Sequence, residues 1–296
     1  MSDHINGGDS QRITREYFDS LLVEMRHIDA VEPSLSLDLY GETFDTPIML
    51  AALSHLNNVH PDGLVEAARG MKVAGGVMWA GMGDPEELEA ITDTGARTIK
   101  IIKPYADKEE IFRRIRHAES CGALAVGMDV DHQFGSINAR YTVLDLAMRP
   151  QTMTDIREYV QSTKLPFIIK GVLSEQDAAK CLEAGVQGIV VSHHHGMVDY
   201  SLPPLQVLPK IVKLVGGRMP IFVDCGVERG LDVFKALALG ATAVSVGRAL
   251  MEPLRKSGAD GVQQTIDRMN NELSWAMSVT CSADIRSIDP TVLWKK

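Results

Sequence analysis

The feature that most restricts what this 296-residue chain can become is a series of eight short apolar runs, each followed by a stretch with helical spacing. They occupy 47–51, 76–80, 98–102, 124–128, 167–170, 188–192, 221–224 and 243–247. Centre-to-centre separations range from 21 residues, between Ile168 and Ile189, to 43, between Ala125 and Ile168. Continuous β-branched runs such as Ile189-Val190-Val191 suit parallel strands covered on both faces, because a surface strand would alternate with polar residues. Eight βα units of this size predict a closed parallel (β/α)8 barrel, the TIM barrel, since a doubly wound sheet needs fewer strands. Barrels of about 250 residues are single domains. The expectation is therefore one domain over 1–296, with 1–16 as a loosely docked tail.

The helices carry their own punctuation. Asp84-Pro85 places a capping carboxylate before a proline at the first helical position, and Gly95 closes that segment. Ile111, Phe112, Ile115, Ala118 and Cys121 form one stripe over 108–121. Ser174 opens another helix, which ends at Ala184-Gly185. Helical patterns also cover 154–162, 204–215, 231–239 and 258–279, whereas 17–25 reads equally as helix or strand. The wide interval 129–150, with Gly135, Asn138 and Arg140, reads as a loop over the barrel mouth.

Net charge is −9 with a sequence pI near 5.5, which argues against nucleic acid as a partner because a basic surface supplies that affinity. Cys121, Cys181, Cys225 and Cys281 contain no CxxC pair, so free thiols in a reducing compartment are expected. No run reaches the ~18–20 apolar residues of a membrane span, and the polar amino terminus has no secretory h-region. A cytoplasmic protein is expected.

Chemistry concentrates where strands end. Side chains at the carboxyl ends of parallel strands face the crevice in which α/β proteins keep their sites. The sixth run ends in Ser192-His193-His194-His195-Gly196, and histidine is the side chain best suited to move protons near neutral pH. The fifth ends in Lys170-Gly171, offering a cation to an anionic ligand. The seventh ends in Asp224-Cys225-Gly226 and the eighth in Gly247-Arg248. Glycines let backbone amides approach an anion and arginine grips it in a forked manner, so a phosphate-bearing ligand is expected there. A metal held by His193–His195 with Asp129, Asp131 or His132 is the competing reading. In an extended segment His193 and His195 face one way and His194 the other, which tells against three ligands to one ion.

Lys170-Gly171, the 188–196 and 221–230 runs, the 232–241 helix and Val246-Gly247-Arg248 together resemble the FMN-dependent 2-hydroxy-acid oxidases and dehydrogenases. The likeness is dense from 165 to 254 and looser from 47 to 129. It implies FMN as cofactor, His194 as the group taking the substrate hydroxyl proton, and Asp129 as the carboxylate that orients it. It puts Lys170 and Ser192 at the flavin ring, Asp224 and Gly226 along the ribityl-phosphate, and Gly247 with Arg248 at the phosphate. Ala52 would bring backbone against the flavin. Lys100 stands where the family has a glutamine.

The departures lie on the substrate side. Met197 holds the position of the arginine that grips the substrate carboxylate, and Ile102 that of a tyrosine. The substitute cation expected first is Arg140, with Lys103, His193 or His195 as other candidates. The resulting expectation is an FMN-dependent oxidation of a 2-hydroxy acid by a homo-oligomeric barrel. A metal-dependent hydrolase or lyase, or a silent flavin-binding protein, are the alternatives.

Overall fold

The computed structural model describes residues 8–133, 142–143 and 146–296. Eight parallel strands close into a barrel, named here β1 (Ile48–Leu53), β2 (Met78–Ala80), β3 (Thr98–Ile102), β4 (Ala125–Asp129), β5 (Phe167–Val172), β6 (Gly188–Val191), β7 (Ile221–Val223) and β8 (Ala243–Val246). Every expected run is a barrel strand, with ends within about two residues of those read from sequence. Each pairs in parallel with its neighbours, and β8 returns to β1 to seal the ring. The interior is packed rather than hollow. Trp79 and Phe222 meet edge to face across it at 5.1 Å, the geometry that aromatic quadrupoles favour.

Helices surround the ring. Pro204–Val215 matches its sequence reading, and Ser174 caps Glu175–Glu183 by accepting from the Asp177 amide. The last helix begins earlier than expected, at Met251, and bends at Ser257-Gly258, where Gly258 takes a φ of 54°.

The amino-terminal segment corrects the sequence reading from residue 8 onward. Gly8–Ser20 is a helix, and Leu21–Val23 then pairs antiparallel with Leu293–Lys295. Ser10, Thr14 and Phe18, four residues apart, form one buried stripe down that helix. It is clamped by Arg15, which donates to both oxygens of Asp232 at 2.9 and 2.8 Å, and by the Lys235 ammonium on the Phe18 carbonyl at 2.7 Å. The contacts fall on the loops after β6 and β7, so the helix lies at the mouth of the barrel.

Among the described residues no helix is long and apolar enough to cross a membrane.

Candidate active site

The parallel register sets Lys170 of β5 beside Asp129 of β4. Neighbours in register point the same way, so both side chains enter the mouth. Lys103, one residue past β3, joins them from the other side. Its ammonium donates to Asp129 Oδ2 at 2.5 Å, and that of Lys170 donates to Oδ1 at 3.2 Å. All three are buried. Burial alone would favour the neutral acid, but Lys170, His194 and Lys103 outweigh it and hold Asp129 well below the ordinary carboxylate range. For Lys170 burial again opposes the charge, yet Asp129, Asp224 and Asp131 keep it firmly protonated.

The histidine turn after β6 is twisted rather than extended. His194, His195 and Gly196 have φ of 45°, 61° and 79°. Two successive left-handed non-glycine residues cost roughly 1–2 kcal/mol each. They are held by local bonds. The His194 amide donates to Ser192 Oγ at 3.0 Å, and the Gly196 amide to His193 Nδ1 at 2.9 Å. The twist fans the three imidazoles apart. His193 turns inward to Thr14 Oγ1 at 2.8 Å, His195 meets the Gln11 amide at 2.7 Å, and His194 faces the carboxylates.

A short turn, Val130–His132, carries Asp131 back toward His194. Asp131 Oδ1 lies 2.8 Å from His194 Nδ1, closer than Asp129 Oδ1 at 3.2 Å. Gly171 makes room for it: a Cβ there would sit 2.4 Å from the Asp131 carboxyl carbon, and its φ of +97° suits glycine alone. Asp131 Oδ2 is buried without a hydrogen-bond partner among the described residues. Burial, and then the charge of Asp129, raise its pKa. His132 stacks edge-on to His194 at 4.8 Å with Lys103 Nζ 3.2 Å from its Nδ1, and burial and that lysine push it down to about 3. His194 goes the other way. Burial and Lys170 depress it, but Asp129 and Asp131 prevail and raise it to about 8.

Beside this cluster opens a cavity of about 700 Å³. Ala51, Ala52 and Leu53 give it an apolar wall, while Lys170, His194 and Asp224 stand at one part and Gly226, Gly247 and Arg248 at another. Gly226, with φ of +75°, has the methyl of Thr14 2.7 Å from where a Cβ would be, so only glycine fits. The size and the mixture of apolar wall and few polar anchors are those of a cofactor site.

A family model described as FMN-dependent dehydrogenase matches residues 2–154 and 138–295. The chain belongs to that family. Its cofactor is FMN. Similar proteins include a peroxisomal (S)-2-hydroxy-acid oxidase of Arabidopsis thaliana, 30% identical over 86% of this chain and 79% of the relative. Among solved structures, a mandelate oxidase with a monooxide FMN adduct is 29% identical with a TM-score of 0.87, covering 97% of this chain and 91% of that one. A lactate oxidase of Pediococcus acidilactici is 26% identical with a TM-score of 0.89, covering 97% and 86%.

Within this FMN-dependent dehydrogenase the residues fit the group. Arg248 and Gly247 present a forked cation and a side-chain-free backbone to a phosphate, and Lys170 presents a buried ammonium on the cavity wall. Ser192 is buried beneath the histidine turn and is not among the lining residues, so its effect is to fix that turn.

Three residues expected at the site lie elsewhere. Lys100 points away from the cavity: it pairs in register with Ala80 and Val126 on the outer face of β3, and its ammonium donates to the Gly81 carbonyl between strand and helices. The inward lysine is Lys103. His193 is buried, bonded to Thr14 and to the Gly196 amide, and does not line the cavity. Met197 is 42% exposed and absent from the cavity lining. Arg140 lies outside the described residues. The three turn histidines diverge and so cannot meet on one ion, whereas Asp129, His132 and His194 do bring one ligand atom each within 4.8 Å of one another.

Residues missed by sequence reasoning are Asp131 as nearest partner of His194, Lys103 as partner of Asp129, and Gln11, whose side chain also meets Arg248. Only Asp131 and Lys103 had a sequence signal, as charged residues next to strand ends.

Proposed function

We propose that the protein oxidises a small 2-hydroxy acid to the 2-oxo acid, with FMN seated in the cavity and His194 as the base. The observation that carries this is the pairing of His194 Nδ1 with two carboxylates at 2.8 and 3.2 Å, at the edge of a cofactor-sized cavity. Two acceptors on Nδ1 keep its proton there and leave the Nε2 lone pair to the substrate. Lys170 Nζ, 3.5 Å from Nδ1, is the more distant neighbour.

FMN held there would supply the hydride acceptor for the carbinol C–H. His194 removes the hydroxyl proton, so the C–O bond becomes C=O and the positive charge created on the imidazole is matched by Asp129 and Asp131. Lys170 supplies positive charge where negative charge accumulates on reduction, in a setting too dry for water to do so. Lys103 keeps Asp129 ionised and in place. Among the described residues Lys170 and Arg248 are the cations on the cavity wall, and both have other work. Arg140 is therefore proposed as the group that grips the substrate carboxylate, and Lys103 as the second candidate.

The test is anaerobic mixing of purified flavoprotein with a panel of 2-hydroxy acids. Bleaching of the flavin band with formation of the 2-oxo acid is expected. Unbleached flavin across short, branched and aromatic members of the panel would refute the reading. We also propose a cytoplasmic homo-oligomer. Four free cysteines support the reducing compartment and the family resemblance supports the oligomer. Light scattering on the eluting protein and imaging of the tagged chain check the two.

A further inference from the structure

On the other side of β3 from the active site, three potential ligands converge between two helices. Glu89 comes from Pro85–Asp93, while His117 and Cys121 come from one turn at the end of Lys108–Ser120. Residues four apart on a helix share a face, so His117 and Cys121 meet without strain. The imidazole Nε2 of His117 lies 3.1 Å from Glu89 Oε1 and 3.5 Å from Cys121 Sγ. One oxygen, one nitrogen and one sulfur lie within 4.8 Å of one another.

We propose that Glu89, His117 and Cys121 bind a zinc ion, joining the two helices. Zinc takes sulfur at about 2.3 Å and nitrogen or oxygen at about 2.0–2.2 Å in a tetrahedron. Those bond lengths put the N···S edge of the tetrahedron at roughly 3.5 Å and the N···O edge at roughly 3.4 Å. The spacings present, 3.5 and 3.1 Å, are already close to those edges. Only the Glu89 side chain, at the exposed rim, has to adjust. Three protein ligands leave a fourth position, and two of them, Glu89 and His117, line a cavity of about 230 Å³ that Lys100 also lines. A water or small anion would complete the tetrahedron. Charge also balances, since a thiolate and a carboxylate neutralise the ion. Arg113 and Arg114, the nearest guanidiniums on the cavity wall, are both tied to Glu110. The ion is redox-inert and lies outside the flavin cavity, so its effect is to hold the helices around β3. Binding releases the Cys121 thiol proton, which makes affinity fall as pH drops.

The experiment uses the flavin-loaded protein, freed of metal by chelator and then titrated with Zn²⁺ alone. One ion per chain is expected, with a rise in Tm and protection of Cys121 from alkylation read by mass spectrometry. Cys121→Ser and His117→Ala should each weaken binding at least tenfold and abolish the Tm rise. Their flavin spectrum and turnover should match the parent, which shows that the variants fold. Zinc that binds both variants as well as it binds the parent overturns the proposal and moves the ion to another set, such as Asp129, His132 and His194. Unprotected Cys121 at saturating Zn²⁺ overturns it equally.

Discussion

Replacing Asp131 by asparagine isolates the charge that tunes the base. His194 is raised from 6.5 to about 8, which at 1.36 kcal/mol per unit is about 2 kcal/mol in favour of the imidazolium. Two carboxylates supply it. Asp129 shares its charge with Lys103 and Lys170, at 2.5 and 3.2 Å, whereas Asp131 is the nearer to His194 and has a free oxygen. Asp129 still contributes the larger share, by its charge and then by its hydrogen bond, so loss of the Asp131 charge should remove the smaller part of the shift. The base must be neutral to act, so kcat/KM rises with pH through the histidine pKa. The parent's acid limb is expected near 8, and that of Asp131→Asn should move down by less than one unit. The plateau should fall by roughly 10-fold to 10²-fold, because a weaker base with a less stabilised imidazolium carries the proton transfer. Initial rates of 2-hydroxy-acid oxidation across pH 5.5 to 9.5, at saturating acceptor, measure both. An acid limb that stays near 8 in Asp131→Asn, while Asp129→Asn moves it, would assign the tuning to Asp129 and refute this reasoning.

Arg248→Ala should weaken FMN by at least tenfold in equilibrium dialysis while leaving the barrel's circular dichroism intact, since one charge-assisted fork is lost from a protected site. Gly171→Ala should lower stability by about 2 kcal/mol or more, because a left-handed residue gains a Cβ against the Asp131 carboxylate; an unchanged melting curve would contradict it. His194 also links stability to pH. Its folded pKa is raised, so its contribution of about 2 kcal/mol is full below 6.5 and lost as pH rises through about 8. The parent's denaturation midpoint should fall over that window, and that of His194→Gln should not.

The barrel was legible because parallel strands covered on both faces leave largely apolar runs, and all eight had them, with Lys100 in the third and Ser245 in the eighth as interruptions. The same property hid the direction of individual side chains. In Thr98-Ile99-Lys100-Ile101-Ile102-Lys103 polar and apolar residues alternate only as far as Ile101 and then break step. In a strand covered on both faces that alternation does not supply the choice between Lys100 and Lys103 for the interior. Register supplies it: Ile99, Ile101 and then Lys103 face inward, and Lys100 faces the helices. Asp131 was obscured for another reason. It lies beyond the strand, in a turn whose direction follows no period, and only folding brings it nearer to His194 than Asp129. The Gly8–Ser20 helix was missed because two of the three residues of its buried stripe, Ser10 and Thr14, are polar. They are buried because Val198 and His193 accept or share their hydroxyl bonds, a compensation that no apolar count can register.

The same helix changes how the site should be understood. Its Thr14 fixes His193, its Gln11 fixes His195 and reaches Arg248, and between those two anchors His194 is left to the carboxylates. The three consecutive histidines are thus one working group and two supports. Twisting His194 and His195 into left-handed backbone spends conformational energy that neither residue recovers locally. The return comes through geometry: an extended turn would point His194 away from both neighbours but could not bring its Nδ1 within 2.8 Å of Asp131 while its amide bonds Ser192. Charge follows the same logic. Asp129 and Asp131 raise the histidine, Lys103 and Lys170 keep Asp129 from becoming the base itself, and the buried Asp224 balances Lys170 from the far side at 3.5 Å. Each ion in the cluster has an opposite partner, and Asp131 meets His194 through Oδ1 while its Oδ2 has no hydrogen-bond partner among the described residues. The proton that His194 takes up is met by Asp129 and Asp131 together, so the positive charge gained during the reaction falls beside two carboxylates already turned toward that imidazole.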